Sequence, residues 1–99
     1  MAQIELAPEV LEDFDRFIDH QFLYGIEDTP ERITQIIAAL EILTHSPLIG
    51  RKTGSGLREL VIGENSRGHV ALYRYVPDLD TAFILAIRSQ REAGYKRES

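Results

Sequence analysis

Cysteine is absent from this chain of 99 residues, which excludes a disulfide framework, a thiolate zinc site and a cysteine nucleophile. That absence accords with a reducing cytosol. Lysine is nearly absent too, with only Lys52 and Lys96. No apolar run approaches the roughly 18 residues that span a bilayer. The opening Met1 to Glu9 has neither a basic n-region nor an apolar h-region. The expectation is a cytoplasmic protein, neither exported nor embedded in a membrane. The motifs of the common hydrolases are missing as well: there is no G-x-S-x-G, no H-E-x-x-H and no evident catalytic pair of carboxylates. Gly50-Arg51-Lys52-Thr53 lacks the G-x-x-x-x-G-K-[ST] spacing of a phosphate loop, and no strand precedes it. No cofactor and no metal are expected. His20 and His45 could meet across a helical hairpin, but two histidines without an anchored third ligand make a poor metal site. His69 reads as an ordinary turn-proximal histidine at the start of a strand.

What is present is an uneven distribution of charge. The formal net charge of −5 conceals two halves of opposite sign. Residues 1–46 carry ten acids against Arg16 and Arg32, whereas residues 47–99 carry six acids against nine bases. Seven of those nine bases are arginine, the side chain suited to planar, bidentate contact with carboxylates or phosphates. The second half therefore points to an anionic partner, either an acidic peptide or a nucleic acid. The alternative is that these arginines pair with the domain's own acidic helices, as weak surface ion pairs commonly do.

The length suits one domain over residues 1–99 with a single core. A domain this small buries only about two thirds of the surface its unfolded chain exposes, so a partner that covers apolar surface would stabilise it. Gln3 to Leu6 reads as a short strand, and Pro8 opens a helix where its missing N–H costs nothing. That helix should run to about Tyr24. Val10, Leu11, Phe14, Phe17, Ile18 and Phe22 line one face, and Glu12, Asp13, Asp15, Arg16 and Asp19 fall elsewhere. Gly25 fits its left-handed stop, and Thr29-Pro30-Glu31 signals a second helix. Ile33, Ile36, Ile37, Leu40 and Leu43 mark the apolar face of the second helix, which ends at Ser46-Pro47. A link this short makes the pair an antiparallel hairpin. Leu48 to Gly56, with three glycines, reads as a flexible loop. Leu57 to Gly63, His69 to Val76 and Thr81 to Arg88 then form a β-meander. The tail from Ser89 should make one helical turn and fray over about residues 96–99. The expected fold is α+β: an N-terminal strand and a two-helix hairpin packed on a three- to four-stranded, mainly antiparallel sheet.

Arginine inside the sheet region stands out: Arg58, Arg74, Arg88 and, just beyond, Arg91. Strand alternation puts Arg74 on the face of Val70, Leu72 and Val76. A charge there needs a partner, either the chain's own C-terminal tail at the rim or a ligand in a cationic cleft.

In order and spacing, these elements resemble the RelE/ParE superfamily of bacterial toxins. The likeness runs through Ile4-Glu5-Leu6-Ala7-Pro8 with Leu11 and Phe14, the helical hairpin, Leu57-Arg58-Glu59 and Tyr73-Arg74-Tyr75. It closes with Ala86-Ile87-Arg88-Ser89-Gln90-Arg91-Glu92-Ala93-Gly94-Tyr95. The resemblance implies a sheet with the hairpin on one side and a binding or active surface on the other. It also implies the toxin of a toxin–antitoxin, plasmid-stabilisation module with a cognate antitoxin as partner. The long hairpin and the scarcity of lysine resemble the ParE branch, whose members poison DNA gyrase. On that branch Arg58, Arg74, Arg88, Arg91 and Tyr95 are the implied residues for binding target or antitoxin. The rival is a RelE-like endoribonuclease that cuts messenger RNA on the ribosome. There Arg74, Arg88 or Arg91 would stabilise the phosphoryl transition state, and Tyr95 would orient or activate the attacking 2′-hydroxyl. Net negative charge argues against it, because phosphate attraction dominates RNA affinity. A non-toxic binding module of the same fold is the third reading. A homodimer and a toxin–antitoxin hetero-oligomer both stay open.

Overall fold

Ile4 and Leu6 alternate with polar neighbours in β1 (Gln3–Leu6), and Pro8 begins α1 (Pro8–Leu23) immediately afterwards. The structure, a computed structural model, describes residues 1–23, 29–63 and 68–89. After α1 come α2 (Thr29–Leu40) and a 3₁₀ turn over Glu41–Thr44. The strands β2 (Arg51–Gly54), β3 (Leu57–Ile62), β4 (His69–Val76) and β5 (Thr81–Ser89) complete the fold. They form one five-stranded sheet in the order β1-β5-β4-β3-β2. β1 runs parallel to β5, and the remaining pairs are antiparallel. The starts of both helices and the three-strand meander agree with the sequence reading.

The sheet is larger and more mixed than the three- to four-stranded one expected, for two reasons. β1 reaches β5, its parallel partner, across the whole helical layer. β2 lies within the segment read as a flexible loop. Its four residues are all exposed, so this edge strand shows no apolar alternation for a sequence reading to detect. Two of the segment's three glycines serve the turn: Gly54, Ser55 and Gly56 take φ of 104°, 55° and 76°, which lets β2 fold back on β3. The second helix is also shorter than expected, since the α-helix stops at Leu40 and the chain tightens into the 3₁₀ turn.

The core lies between the helices and one side of the sheet. Val10 and Phe14 of α1, Ile36 and Leu40 of α2 and Leu43 of the 3₁₀ turn meet Ile62, Ala71, Tyr73, Ala82, Ile84 and Ile87. Each of the valine, leucine, isoleucine and phenylalanine side chains contributes about 1.5–3 kcal/mol by leaving water, the alanines less. The helical stripes are narrower than their spacing suggests, because Leu11, Ile18 and Ile37 are exposed. Conversely Asp13, expected among the polar positions, is 1% exposed. The side chains of Phe17, His20 and Phe22 lie outside the described residues, as do Gly25 and the connection between the helices, on which the expected hairpin partly rests. The helical turn and frayed end expected after Ser89 lie there too.

Candidate functional site

Residues directly opposed in neighbouring strands project to the same side of a sheet, so the register sorts every strand residue. Arg58 opposes Tyr73, Leu60 opposes Ala71, and Tyr73 opposes Ile84. Tyr73, Ala71 and Ile84 belong to the core, which places Arg58 on the helix side. Glu59 opposes Leu72 and Val61 opposes Val70. Arg74 opposes Phe83, and Arg88 opposes Val70. Arg74, Arg88, Val70, Leu72, Phe83 and Val61 therefore share the other side, the open face, which no described helix covers; it is exposed at Arg74 and Val61, whereas Val70 is 2% exposed and Ala86, opposite Leu72, 5%. Arg51 opposes Glu59 and joins them.

The arginines singled out from the sequence thus separate. Arg74 and Arg88 stand on one face, about 13 Å apart along the strands, since four residues of β4 at ~3.3 Å each separate Arg74 from Val70, the partner of Arg88. Arg74 is exposed, and its Nη2 donates to the Ser55 carbonyl in the β2–β3 turn at 3.0 Å. Arg88 is half-buried, with Nη1 donating to the Ser89 carbonyl at 3.2 Å. Val61, half exposed beside them, adds apolar surface. Arg51 is tied to Glu59, donating through Nε and Nη2 to Oε1 at 3.1 and 2.9 Å. Arg91 and Tyr95 lie outside the described residues.

Arg58 does different work on the opposite side. Its Nη1 donates to the carbonyls of Leu48 and Gly50 at 3.0 and 2.8 Å. Tyr73, fully buried, donates its hydroxyl to the Pro47 carbonyl at 2.8 Å and accepts the Gly50 N–H at 2.9 Å. Two side chains therefore satisfy four polar groups of backbone 47–50, the approach to β2. A side chain at Gly50 has no room, since its Cβ would stand 2.6 Å from the Tyr73 ring and 2.8 Å from the Glu59 carbonyl. Burial pushes the Tyr73 phenol above its ordinary value of 10.0, while the Gly50 hydrogen bond and the Arg58 charge oppose the rise. Tyr75 is raised as well, chiefly because it donates to Asp80 Oδ1 at 2.6 Å, and burial and the Asp80 charge add to this.

Sequence reasoning missed two of these features. The Tyr73–Gly50–Arg58 clamp had no signal beyond a glycine ahead of a basic pair. Asp13 reads as one of several acids on a polar helix face, yet its Oδ2 accepts the Ile87 N–H at 2.9 Å. Among the described residues no group of three or more histidines and carboxylates is placed to hold a metal, and no helix is long and apolar enough to cross a membrane.

Comparison with known proteins adds to this geometry. The fold is similar to that of the chromosomal ParDE toxin–antitoxin system from P. aeruginosa, with a TM-score of 0.72 at 22% identity over 90% of this chain and 96% of that one. It is also similar to the intact E. coli RelBE toxin–antitoxin complex, with a TM-score of 0.64 at 13% identity over 93% of this chain and 100% of that one. The isolated E. coli RelE toxin has a TM-score of 0.64 at 12% identity over 94% of this chain and 88% of that one. Identities this low establish a shared fold. No curated protein matches the sequence. The family model for the ParE toxin of the type II toxin–antitoxin system parDE, however, matches residues 4–94, spanning Arg58, Arg74, Arg88 and Arg91 and stopping one residue short of Tyr95. With nearly the whole chain matched, the protein belongs to the ParE toxin family of type II toxin–antitoxin systems.

Proposed function

We propose that this protein is a plasmid-stabilisation-type toxin that works in the cytoplasm by binding DNA gyrase and is held inactive by a cognate antitoxin. The observation that carries this reading is the ParE match over residues 4–94. The charge distribution supports it. The exposed acids Glu9, Glu12, Asp15 and Asp19 of α1, Glu31 of α2 and Glu41 of the 3₁₀ turn repel a polyanion, and a net charge of −5 forfeits the attraction that RNA binding draws on. The open face instead sets Arg74 and Arg88 among apolar residues, a combination suited to a protein segment with acidic and apolar anchors. Arg74 and Arg88 are the proposed contacts there, with Arg91 and Tyr95 following them in the chain. Arg58 acts indirectly, by holding backbone 47–50.

The test is a pair of assays on the purified protein. Supercoiling by gyrase should be inhibited, and messenger RNA on translating ribosomes should stay intact. Codon-specific cuts with supercoiling unaffected would replace this reading with the RelE-like ribonuclease, whose candidate residues are Arg74, Arg88, Arg91 and Tyr95. Normal growth on expression without any antitoxin would point to a non-toxic binding module. The antitoxin half is tested by calorimetry with the protein encoded next to this one, where absence of binding would sink it.

A further inference from the structure

β5 does not alternate regularly. Tyr73 opposes Ile84 and Leu72 opposes Ala86, so Leu85 and Ala86 together stand against one residue of β4, the signature of a β-bulge. Strict alternation onward from Phe83, an open-face residue, would send Leu85 and Ile87 to the open face and Arg88 toward the helices. The bulge reverses this. Ile87 enters the core at 1% exposure, and Arg88 emerges on the side of Arg74.

The bulge sits where β5 loses its outer neighbour. β1 pairs with β5 only as far as Leu6 opposite Ile84, and the next bond, from the Ala7 N–H to the Ile84 carbonyl, is at 2.9 Å. Beyond that point α1 borders the strand. The Ile87 N–H is bonded to Asp13 Oδ2 at 2.9 Å, in a buried setting. Asp13 Oδ1 accepts Arg16 Nη1 at 2.8 Å, so both carboxylate oxygens are engaged, as so buried an acid requires. An unmet buried amide is costly, and here the acceptor comes from a helix 74 residues away in sequence.

We propose that Asp13 is a positioning residue for the open face: by accepting the Ile87 N–H it holds the β5 bulge in the setting that turns Arg88 to the side of Arg74. The functional half of this inference rests on the reading of that face as the binding surface; the structural half does not.

The experiment compares Asp13→Ala, Asp13→Asn, Arg16→Ala and Arg88→Ala, each alone, and Asp13→Ala combined with Arg88→Ala. All are read well below their melting temperatures by amide exchange at Ile87, by cross-strand NMR contacts of Arg88 with Val70, and by growth inhibition. In Asp13→Ala, Ile87 exchange should rise about tenfold or more and the Arg88–Val70 contacts should weaken. Toxicity should fall to the level of Arg88→Ala, and the double variant should lose nothing further, since the two act through one side chain. Asp13→Asn keeps an accepting oxygen, and Arg16→Ala keeps the carboxylate, so both should retain Ile87 protection and toxicity. These two variants decide the matter if Asp13→Ala does not fold: loss of toxicity in either with Ile87 still protected overturns the inference. Unchanged Ile87 exchange and Arg88 contacts in Asp13→Ala overturn the structural half, whatever happens to toxicity. A fully toxic Arg88→Ala overturns the functional half and, with it, the role of Arg88 on the face.

Discussion

The helical layer and the open face of the sheet are built from the same chain by different rules. On α1 and α2 the exposed charges are mostly acidic, and the buried side is set by local three-and-four spacing. On the open face the cations Arg74 and Arg88 fall on one side only because the register of β4 on β5, with its irregularity after Leu72, sets them there. The helical layer can therefore be altered on its outer surface with little consequence for the face. The face depends on contacts made behind it by Tyr73, Arg58 and Asp13.

The largest effect should come from the shared core. Leu43, fully buried where the 3₁₀ turn meets the sheet, should cost about 2–5 kcal/mol when changed to Ala. Denaturant unfolding measures this, and a loss below about 1 kcal/mol would contradict the packing described. Gly50→Ala should rank beside it, because the added methyl collides with the Tyr73 ring and the Glu59 backbone.

Next comes the clamp. Tyr73→Phe strands the Gly50 N–H and the Pro47 carbonyl and should cost about 1–3 kcal/mol. The raised Tyr73 phenol also makes a pH prediction. A group whose folded pKa lies above its unfolded one stabilises the fold below the unfolded value, near 10, and that contribution disappears as pH rises through the folded value. Stability should therefore fall above about pH 10, and the fall should be shallower in Tyr73→Phe. Tyr75, raised by its bond to Asp80, acts in the same direction. A midpoint as pH-dependent in Tyr73→Phe as in the parent would remove Tyr73 from this account.

A pair of arginines tests the comparison directly. Arg74→Ala should abolish growth inhibition while shifting stability by no more than about 0.5 kcal/mol, since the side chain is exposed. Arg58→Ala should instead cost about 1–3 kcal/mol by releasing the Leu48 and Gly50 carbonyls, with any loss of toxicity explained by unfolding. If Arg74→Ala proves stable and fully toxic, that residue does not belong to the functional surface.

The smallest effect is expected at the sheet edge. Arg51 is largely exposed in its pair with Glu59, so Arg51→Ala should change stability by about 0–1 kcal/mol, less as salt is added. A larger loss would mean that β2 relies on this pair to stay in register.

Much of the fold was legible from local pattern. Pro8 and Thr29-Pro30 announced the helices, and the apolar spacing of Val10, Phe14, Ile36, Leu40 and Leu43 identified their buried side. The period-two run of β4 placed Arg74 on the face of Val70 and Leu72, where the register puts it. Those signals persist because helical and strand periodicities are properties of neighbouring residues. The site was less legible: Arg58 and Arg74 looked equivalent as strand arginines, yet the pairing of Arg58 with Tyr73 sends it to the helix side.

By itself, then, the sequence determined the element types, most of their boundaries and the division between an acidic first half and an arginine-rich second half. Tertiary structure decided the parallel docking of β1, the presence of β2 and the burial of Asp13. It also decided which arginines share a face. The physical reason is the span of the deciding bonds: Tyr73 reaches Pro47 across 26 residues, and Asp13 reaches Ile87 across 74. No local periodicity encodes partners so far apart, and a single extra residue at the β5 bulge is enough to reverse the side on which every later residue of the strand falls.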